Sequence, residues 1–390
     1  MKLTYIILLT CLSLAGFSQT NLDKFLDLVE QNNQELIAAR QFLEAEKAGF
    51  QTGLTPDNPS IEYGYFPGSK EEMGTKTTYG ISQAFEFPTV YSVKKKLANN
   101  QSRLSELDYQ VFRQNKLLEA KLSFYNYAFL LKKKQEYQKR LEHSTQLLQS
   151  YQTNFDKGNT SILDLNKAKI QNLKIKSSYQ ILLTEIDNAQ KDLTLFAGTD
   201  TIEQKTQNIS EFALPGLESI LAEFQQLKPE IRYLSQAQQV AEMNIQLAKQ
   251  NWLPEFEIGY EAEKEPDGTY RGLHAGLSLP LWKNKNKLQH ARAQANFKTQ
   301  QLKSRIAVLI NEKEKLYFQV QELDQIRQEY KQTLEDAANV TFLDKALRLG
   351  QMSVIEYFNE LTFYYETIDS YLEIELAHAE ALARLTSYKL

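Results

Sequence analysis

Two stretches of this chain, from Pro88 to Gly158 and from Pro280 to Gly350, each place a proline and a glycine 70 positions apart with no proline or glycine between them. Those two residue types are what most often break a helix, so each stretch can run as one helix of roughly 95–100 Å at about 1.5 Å per residue. No globular core accommodates such a helix, and its apolar residues must meet other long helices. They recur at every seventh position: Leu288, Ala295, Leu302, Leu309, Leu316, Leu323, Tyr330 and Ala337 in one stretch, and Leu97, Leu104, Val111, Leu118 and Tyr125 in the other. That spacing imposes coiled-coil packing. The second heptad stripe is interrupted, with Lys313 and Arg327 between Ile306, Val320 and Leu334, which predicts a wet face along the helix.

The two stretches belong to an internal duplication. Pro59, Gly64 and Tyr65 are echoed 195 residues later by Pro254, Gly259 and Tyr260, and Glu35-Leu36 by Glu230-Ile231. Phe87-Pro88 is echoed by Leu279-Pro280, and Gly158-Asn-Thr-Ser161 by Gly350-Gln-Met-Ser353, both at a spacing of 192. The difference of three falls between Tyr65 and Phe87, where a loop absorbs it. Each copy is expected to run helix, two strands, very long helix, glycine turn and returning helix. Repeat 1 covers 19–198, with a first helix over 22–51, strands near 60–66 and 76–87, and long helices near 89–155 and 161–196. A linker covers 199–216. Repeat 2 covers 217–390, with a first helix over 217–251, strands near 255–264 and 269–279, and long helices near 283–349 and 353–387.

The strand segments alternate. Phe256, Ile258, Tyr260 and Ala262 share one face, against Glu255, Glu257, Gly259, Glu261 and Glu263 on the other. Leu273, Ala275, Leu277 and Leu279 oppose Gly272, His274, Gly276 and Ser278. In the first copy Thr77, Tyr79, Ile81, Phe85 and Phe87 oppose Thr78, Gly80, Ser82, Ala84 and Glu86, with Gln83 the exception on the apolar side and Ile61, Tyr63 and Tyr65 completing the set. Segments of about 10 residues, apolar on one face and small or charged on the other, are the pattern of outer-membrane barrel strands. Four strands cannot close a barrel, and an open edge in lipid leaves backbone groups unpaired. Two copies would give eight strands and three would give twelve, and only the larger ring leaves a real lumen. The competing possibility is a pair of amphipathic hairpins packed on the helices of a soluble protein.

Composition removes several functions. The only cysteine is Cys11, inside an apolar run from Leu3 to Leu14 that follows Met1-Lys2 and leads to Ser18: a secretory signal peptide over 1–18. At roughly 12 residues the run is too short to span a bilayer, which takes about 20. Without that segment no thiol remains for a disulfide, a nucleophile or a metal. The histidines at 143, 274, 290 and 378 have no ligand spacing, so no cofactor or metal site is expected. A formal charge of -4 argues against nucleic acid as a partner. No Ser-His-Asp, paired-carboxylate or nucleotide-binding constellation stands out, so the chain is not expected to be an enzyme.

In these features the chain resembles the TolC or outer membrane efflux protein family over its whole length after the signal peptide. The most specific local match is Gly158-Asn-Thr-Ser161-Ile-Leu-Asp164-Leu-Asn-Lys-Ala168, with its second copy at Gly350. The resemblance implies an α+β membrane protein built from a duplicated unit of helix, β-hairpin and long helical hairpin. It further implies a homotrimer, in which a 12-stranded β-barrel in the outer-membrane lipid continues into an α-helical coiled-coil barrel across the periplasm. It implies docking of the periplasmic tips, here Gly158, Asn159, Ser161, Gly350, Gln351 and Ser353, onto a membrane-fusion adaptor, and through it onto an inner-membrane pump of RND or ABC type. The family narrows its periplasmic mouth with acidic residues six and nine positions after the second glycine; those positions hold Glu356 and Asn359, with Glu360 next. Three copies of Glu356 on a symmetry axis would raise one another's pKa and attract cations. Of the family's closing latch this chain keeps Asp164 but has Leu347 and Met352 where a tyrosine and an arginine are expected, leaving Arg348 as the candidate for that role. The lipid-facing set is Tyr63, Tyr65, Tyr79, Ile81, Phe85, Phe256, Ile258, Tyr260, Leu273 and Leu277.

The expected function is thus a passive exit duct from the periplasm to the exterior, gated by adaptor binding. The alternative is a soluble periplasmic coiled-coil scaffold or adaptor.

Overall fold

The computed structural model describes residues 21–70, 74–199, 214–336 and 340–390. The signal peptide expected over 1–18, most of the linker and Ala337 of the heptad stripe lie outside them. In chain order the elements are α1 (Asn21–Asn32), α2 (Gln34–Phe50), β1 (Ser60–Pro67), β2 (Thr75–Phe85), α3 (Pro88–Asp156), α4 (Ile162–Ala197), α5 (Leu217–Leu227), α6 (Pro229–Gln250), β3 (Glu255–Glu265), β4 (Gly268–Ser278), α7 (Lys287–Asp336), α8 (Val340–Arg348) and α9 (Val354–Leu385). They fall into two compact units, one made of residues up to 33 with 123–209, the other of 34–122 with 210–390.

In the first unit α1 packs on α4. Phe25 and Val29, one helical turn apart, are buried, and the Phe25 ring lies 5.5 Å from that of Phe124. The returning helix α4 buries Leu165, Ala168, Ile175, Leu182, Ile186, Ala189 and Leu193. Partway along, Asn172 Nδ2 donates to Ser144 Oγ (3.0 Å) and Thr145 Oγ1 (3.1 Å) of α3.

In the second unit α6 and α9 pack on α7. Ile220 and Phe224 of α5 join Leu309, Tyr317 and Val320 of α7, Ala381 and Leu385 of α9, and Tyr388 in one apolar cluster. Of the heptad stripe, Leu97, Ala295 and Leu309 are buried, while Leu302, Leu316 and Leu323 are half-buried.

Three expectations are corrected here. The first helix of each repeat is broken, at Asn33 and at Lys228, positions related by the same 195-residue shift. At Lys228 the cause is Pro229, which drives the preceding residue out of the helical region (ψ 114) and starts α6 at its first position. Asn33 instead turns its side chain to donate to Phe196 O at 3.1 Å. Second, α7 begins at Lys287, not near 283: residues 281–286 form a tight turn with Asn286 left-handed at φ 64. Third, Lys313 does not face water. Only 5 % of it is exposed, and its ammonium donates to Arg384 O (2.5 Å), Leu385 O (2.9 Å) and Ser387 Oγ (3.3 Å) at the end of α9.

The four strands form one antiparallel sheet in the order β1-β2-β3-β4. The register pairs Ile61 with Ile81, Tyr63 with Tyr79, Ile81 with Tyr260, Phe85 with Phe256, and Tyr260 with Leu273. The connection between β1 and β2 spans 68–74, that between β3 and β4 only 266–267, which is where the extra residues of the first copy lie. Both hairpin turns are at one end of the sheet; the four ends that lead to helices are at the other.

Candidate functional site

The two helical tips repeat the same backbone solution. Gly158 and Gly350 adopt φ 74 and φ 69, the left-handed region that glycine enters without a side-chain clash. At the first tip Gly158 N donates to Phe155 O (2.9 Å) and Asn159 N to Asn154 O (2.8 Å). At the second, Gly350 N donates to Leu347 O (3.1 Å) and Gln351 N to Ala346 O (2.9 Å). This pair of bonds closes a helix C-terminus by satisfying carbonyls that have no partner further along.

The returning helices are capped by the serines three residues on. Ser161 Oγ accepts from Asp164 N at 3.1 Å and donates to Asp164 Oδ2 at 2.6 Å. Ser353 Oγ accepts from Glu356 N (3.2 Å), while Ser353 N donates to Glu356 Oε2 (2.7 Å), a reciprocal capping box. The Glu356 carboxylate thus folds back onto its own helix start. The backbone N–H of Ser353 holds it below the usual carboxylate range. Asn359 and Glu360 are exposed on the same helix, with Glu360 one turn beyond Glu356, so like charges stack along one face. Arg348 Nε donates to Asp344 O (3.2 Å), and the Asp344 side chain accepts from the buried Tyr357 hydroxyl (2.7 Å). Asp344–Tyr357 is a tie across the second hairpin that sequence spacing did not single out; the tyrosine was hidden among many on α9.

The sheet presents the reverse of a soluble protein's surface. Ile61, Tyr63, Tyr65, Tyr79, Ile81, Phe256, Ile258, Tyr260, Leu273 and Leu277 are all exposed large apolar residues, with Ile61 at 81 % and Leu273 at 83 %. The register puts them on one continuous face, to which the half-buried Phe85 also belongs. Monomeric soluble proteins rarely expose contiguous patches of this kind. Gln83, the polar exception, spends its amide on Asp57 O (2.7 Å) and Ala84 O (2.9 Å).

The opposite face carries Glu62, Glu257, Glu261 and Glu263 among glycines. At Gly259 the imidazole of His274 occupies the space a side chain would need. The strands β1 and β4 have no further strand partner among the described residues, so each leaves one backbone edge open. No helix of the described residues is long and apolar enough to cross a membrane.

Residues 25–199, which is nearly the whole first repeat, match the family described as outer membrane efflux protein. Over that stretch the chain is similar to the outer membrane efflux protein family. The second repeat, with its matching glycine turn, serine cap and hairpin, extends the same architecture to the end of the chain. Among solved structures, CusC superimposes with a TM-score of 0.80 at 16% identity, covering 95% of this chain and 92% of that one. The CmeC outer membrane channel of Campylobacter jejuni gives 0.76 at 14% identity, with 94% and 85% covered. The MtrE outer membrane channel of Neisseria gonorrhoeae, in its open state, gives 0.74 at 15% identity, with 94% and 88% covered. No curated protein matches the chain in sequence. At these identities the likeness is one of fold: the described residues share with those channels a helix-rich chain carrying a small sheet.

Proposed function

We propose that this chain is one subunit of a trimeric outer-membrane exit duct, a passive conduit from the periplasm to the exterior that performs no chemistry. The observation that carries the reading is the sheet: four strands with two open edges and one exposed apolar face. In lipid each open edge costs several kcal/mol per unpaired group, so the edges must be closed by other copies. Three copies supply twelve strands, enough to enclose water. The apolar face then contacts lipid, and the glutamate-rich face lines the lumen and favours cations.

The helices support the same assembly. On α4, Leu163, Ile170, Leu173 and Ile181 are exposed opposite its buried stripe, a second apolar surface that neighbouring helices of a helical tunnel would cover. The tips at Gly158 and Gly350 are the docking points for a periplasmic membrane-fusion adaptor, and through it for an inner-membrane pump. Gating belongs to the returning helix α9, whose Glu356, Asn359 and Glu360 narrow the mouth, with Asp164 and Arg348 as latch candidates. A soluble scaffold has no use for the exposed strand face.

Cysteines placed singly along β1 and β4, paired one from each strand in the same chain, test the ring directly. Oxidation in outer membranes should give a covalent trimer that runs as one band and reverts on reduction. Exclusively intrachain products, or none at any position pair, would contradict strand closure between copies.

A further inference from the structure

The end of the sheet that leads into the helices carries an unusual concentration of two residue types. Both tryptophans of the chain are there: Trp252, just before β3, and Trp282, just after β4. They are exposed by 45 % and 80 %, large values for so apolar a ring, and Leu279 and Leu281 beside them are exposed too. Six lysines adjoin them, Lys94, Lys95 and Lys96 at the start of α3 and Lys283, Lys285 and Lys287 at the turn into α7.

The geometry fixes this group in place. Thr89 Oγ1 donates to Gln250 Oε1 at 2.5 Å, and Asn284 Nδ2 donates to Asn251 O, which pins the turn that presents Trp282. Lys94, Lys283 and Lys287 line a recess of about 200 Å³ together with Glu86 and Glu255. Those two acids are already taken, by Lys94 (2.5 Å) and by Lys283 (3.0 Å). Lys95, Lys96, Lys285 and Lys287 are exposed with no carboxylate at ion-pair distance among the described residues. The rim therefore has a cationic surplus beside exposed indoles. Tryptophan settles where acyl chains meet head groups, and lysine beside it attracts anionic lipid.

We propose that this rim is a collar that binds anionic phospholipid head groups of the periplasmic leaflet, with Trp282 at the acyl boundary and Lys95, Lys96, Lys285 and Lys287 supplying the charge. The collar rests on the exit-duct reading, which places the helix-bearing end of the sheet on the periplasmic side. Its role is to set the depth of the barrel in the bilayer and the lipid that surrounds the junction between strands and helices.

The test uses the full assembly with Trp252→Phe, which leaves Trp282 as the sole tryptophan, reconstituted in mixed phosphatidylcholine and phosphatidylglycerol bilayers with bromine on the acyl chains of one lipid at a time. Half-quenching by brominated phosphatidylglycerol is expected at about fivefold lower mole fraction than by brominated phosphatidylcholine, the factor one lysine's attraction of about 1 kcal/mol supplies. High salt, or the combined K95Q, K96Q, K285Q and K287Q substitutions, should erase the difference. Equal quenching by the two lipids from an assembly that still conducts would overturn the collar and leave the duct standing. The same holds for a conducting assembly whose Trp282 neither lipid quenches. An assembly that neither conducts nor is quenched would overturn both.

Discussion

Replacing Lys313 with methionine keeps most of the side chain's volume and removes its ammonium from a site where three acceptors and two rings converge. The Phe224 and Tyr388 rings lie 5.2 Å and 5.9 Å from Nζ, and α9 ends its run of carbonyls on it. Without that donor, Leu385 O loses its bond in a buried position, at about 1–3 kcal/mol; Arg384 O keeps Thr386 N–H as a partner. The variant should thus be less stable by about 2 kcal/mol at pH 7. The pH dependence is more telling. Burial, with the nearby charge of Lys228, pushes the Lys313 pKa down to about 7 against an opposing pull from Glu312. Between that value and the ordinary lysine pKa the unfolded chain holds a proton that the folded chain has released, so wild-type stability rises with pH through this window and is flat below it. From pH 7 to pH 9 the gain is on the order of 2 kcal/mol. Thermal unfolding of the purified assembly at pH 6 to 10 checks this. The gap between wild type and Lys313→Met should widen above pH 7. A constant gap, or a methionine variant that is the more stable one, would contradict a buried Lys313 donor with a lowered pKa.

Ile258→Arg puts a charge in the middle of the apolar sheet face and should cost about 2–4 kcal/mol near the bilayer midplane; the fraction of chain recovered as assembled trimer from outer membranes should fall sharply, while Gln83→Arg, on the same face but already polar, should fall less. Gly350→Ala forces a side chain into φ 69 with no steric neighbour within 4 Å, so it should cost only the backbone penalty of about 1–2 kcal/mol and show as faster proteolysis at that tip without loss of assembly. Ser353→Ala breaks the capping box, and amide exchange in the first turn of α9 should quicken several-fold. Because the Ser353 N–H lowers the Glu356 pKa, the protection it gives is full above the ordinary carboxylate range and is lost as pH falls through the depressed value; the alanine variant keeps that N–H and should retain the step, whereas Glu356→Gln should show none.

Much of this was legible because the duplication constrains two copies at once. Strand alternation needs only period-two patterning, and the register confirms it face by face from Ile61 across to Leu273. The glycine turns were legible because the left-handed residue that closes a helix is usually glycine, as at Gly158 and Gly350. The breaks at Asn33 and Lys228 were not. Pro229 signals one of them, but its counterpart Gln34 carries no such mark, and the break there depends on a bond to Phe196, distant in sequence. Lys313 was misplaced for a related reason: a lysine in a heptad stripe implies water unless some other chain end brings acceptors to it, and the end of α9 is 71 residues away. The residues proposed for gating show only local contacts, since Glu356 meets its own helix cap.

An exit duct requires that copies of this chain close their sheets into one water-filled ring. The most direct test is to extract the full-length protein from outer membranes in detergent, measure its subunit number, and record single channels in a planar bilayer. A closed duct should appear as a trimer with cation-preferring openings whose conductance or gating changes with Glu356→Ala. A periplasmic monomer or dimer that conducts nothing would contradict it.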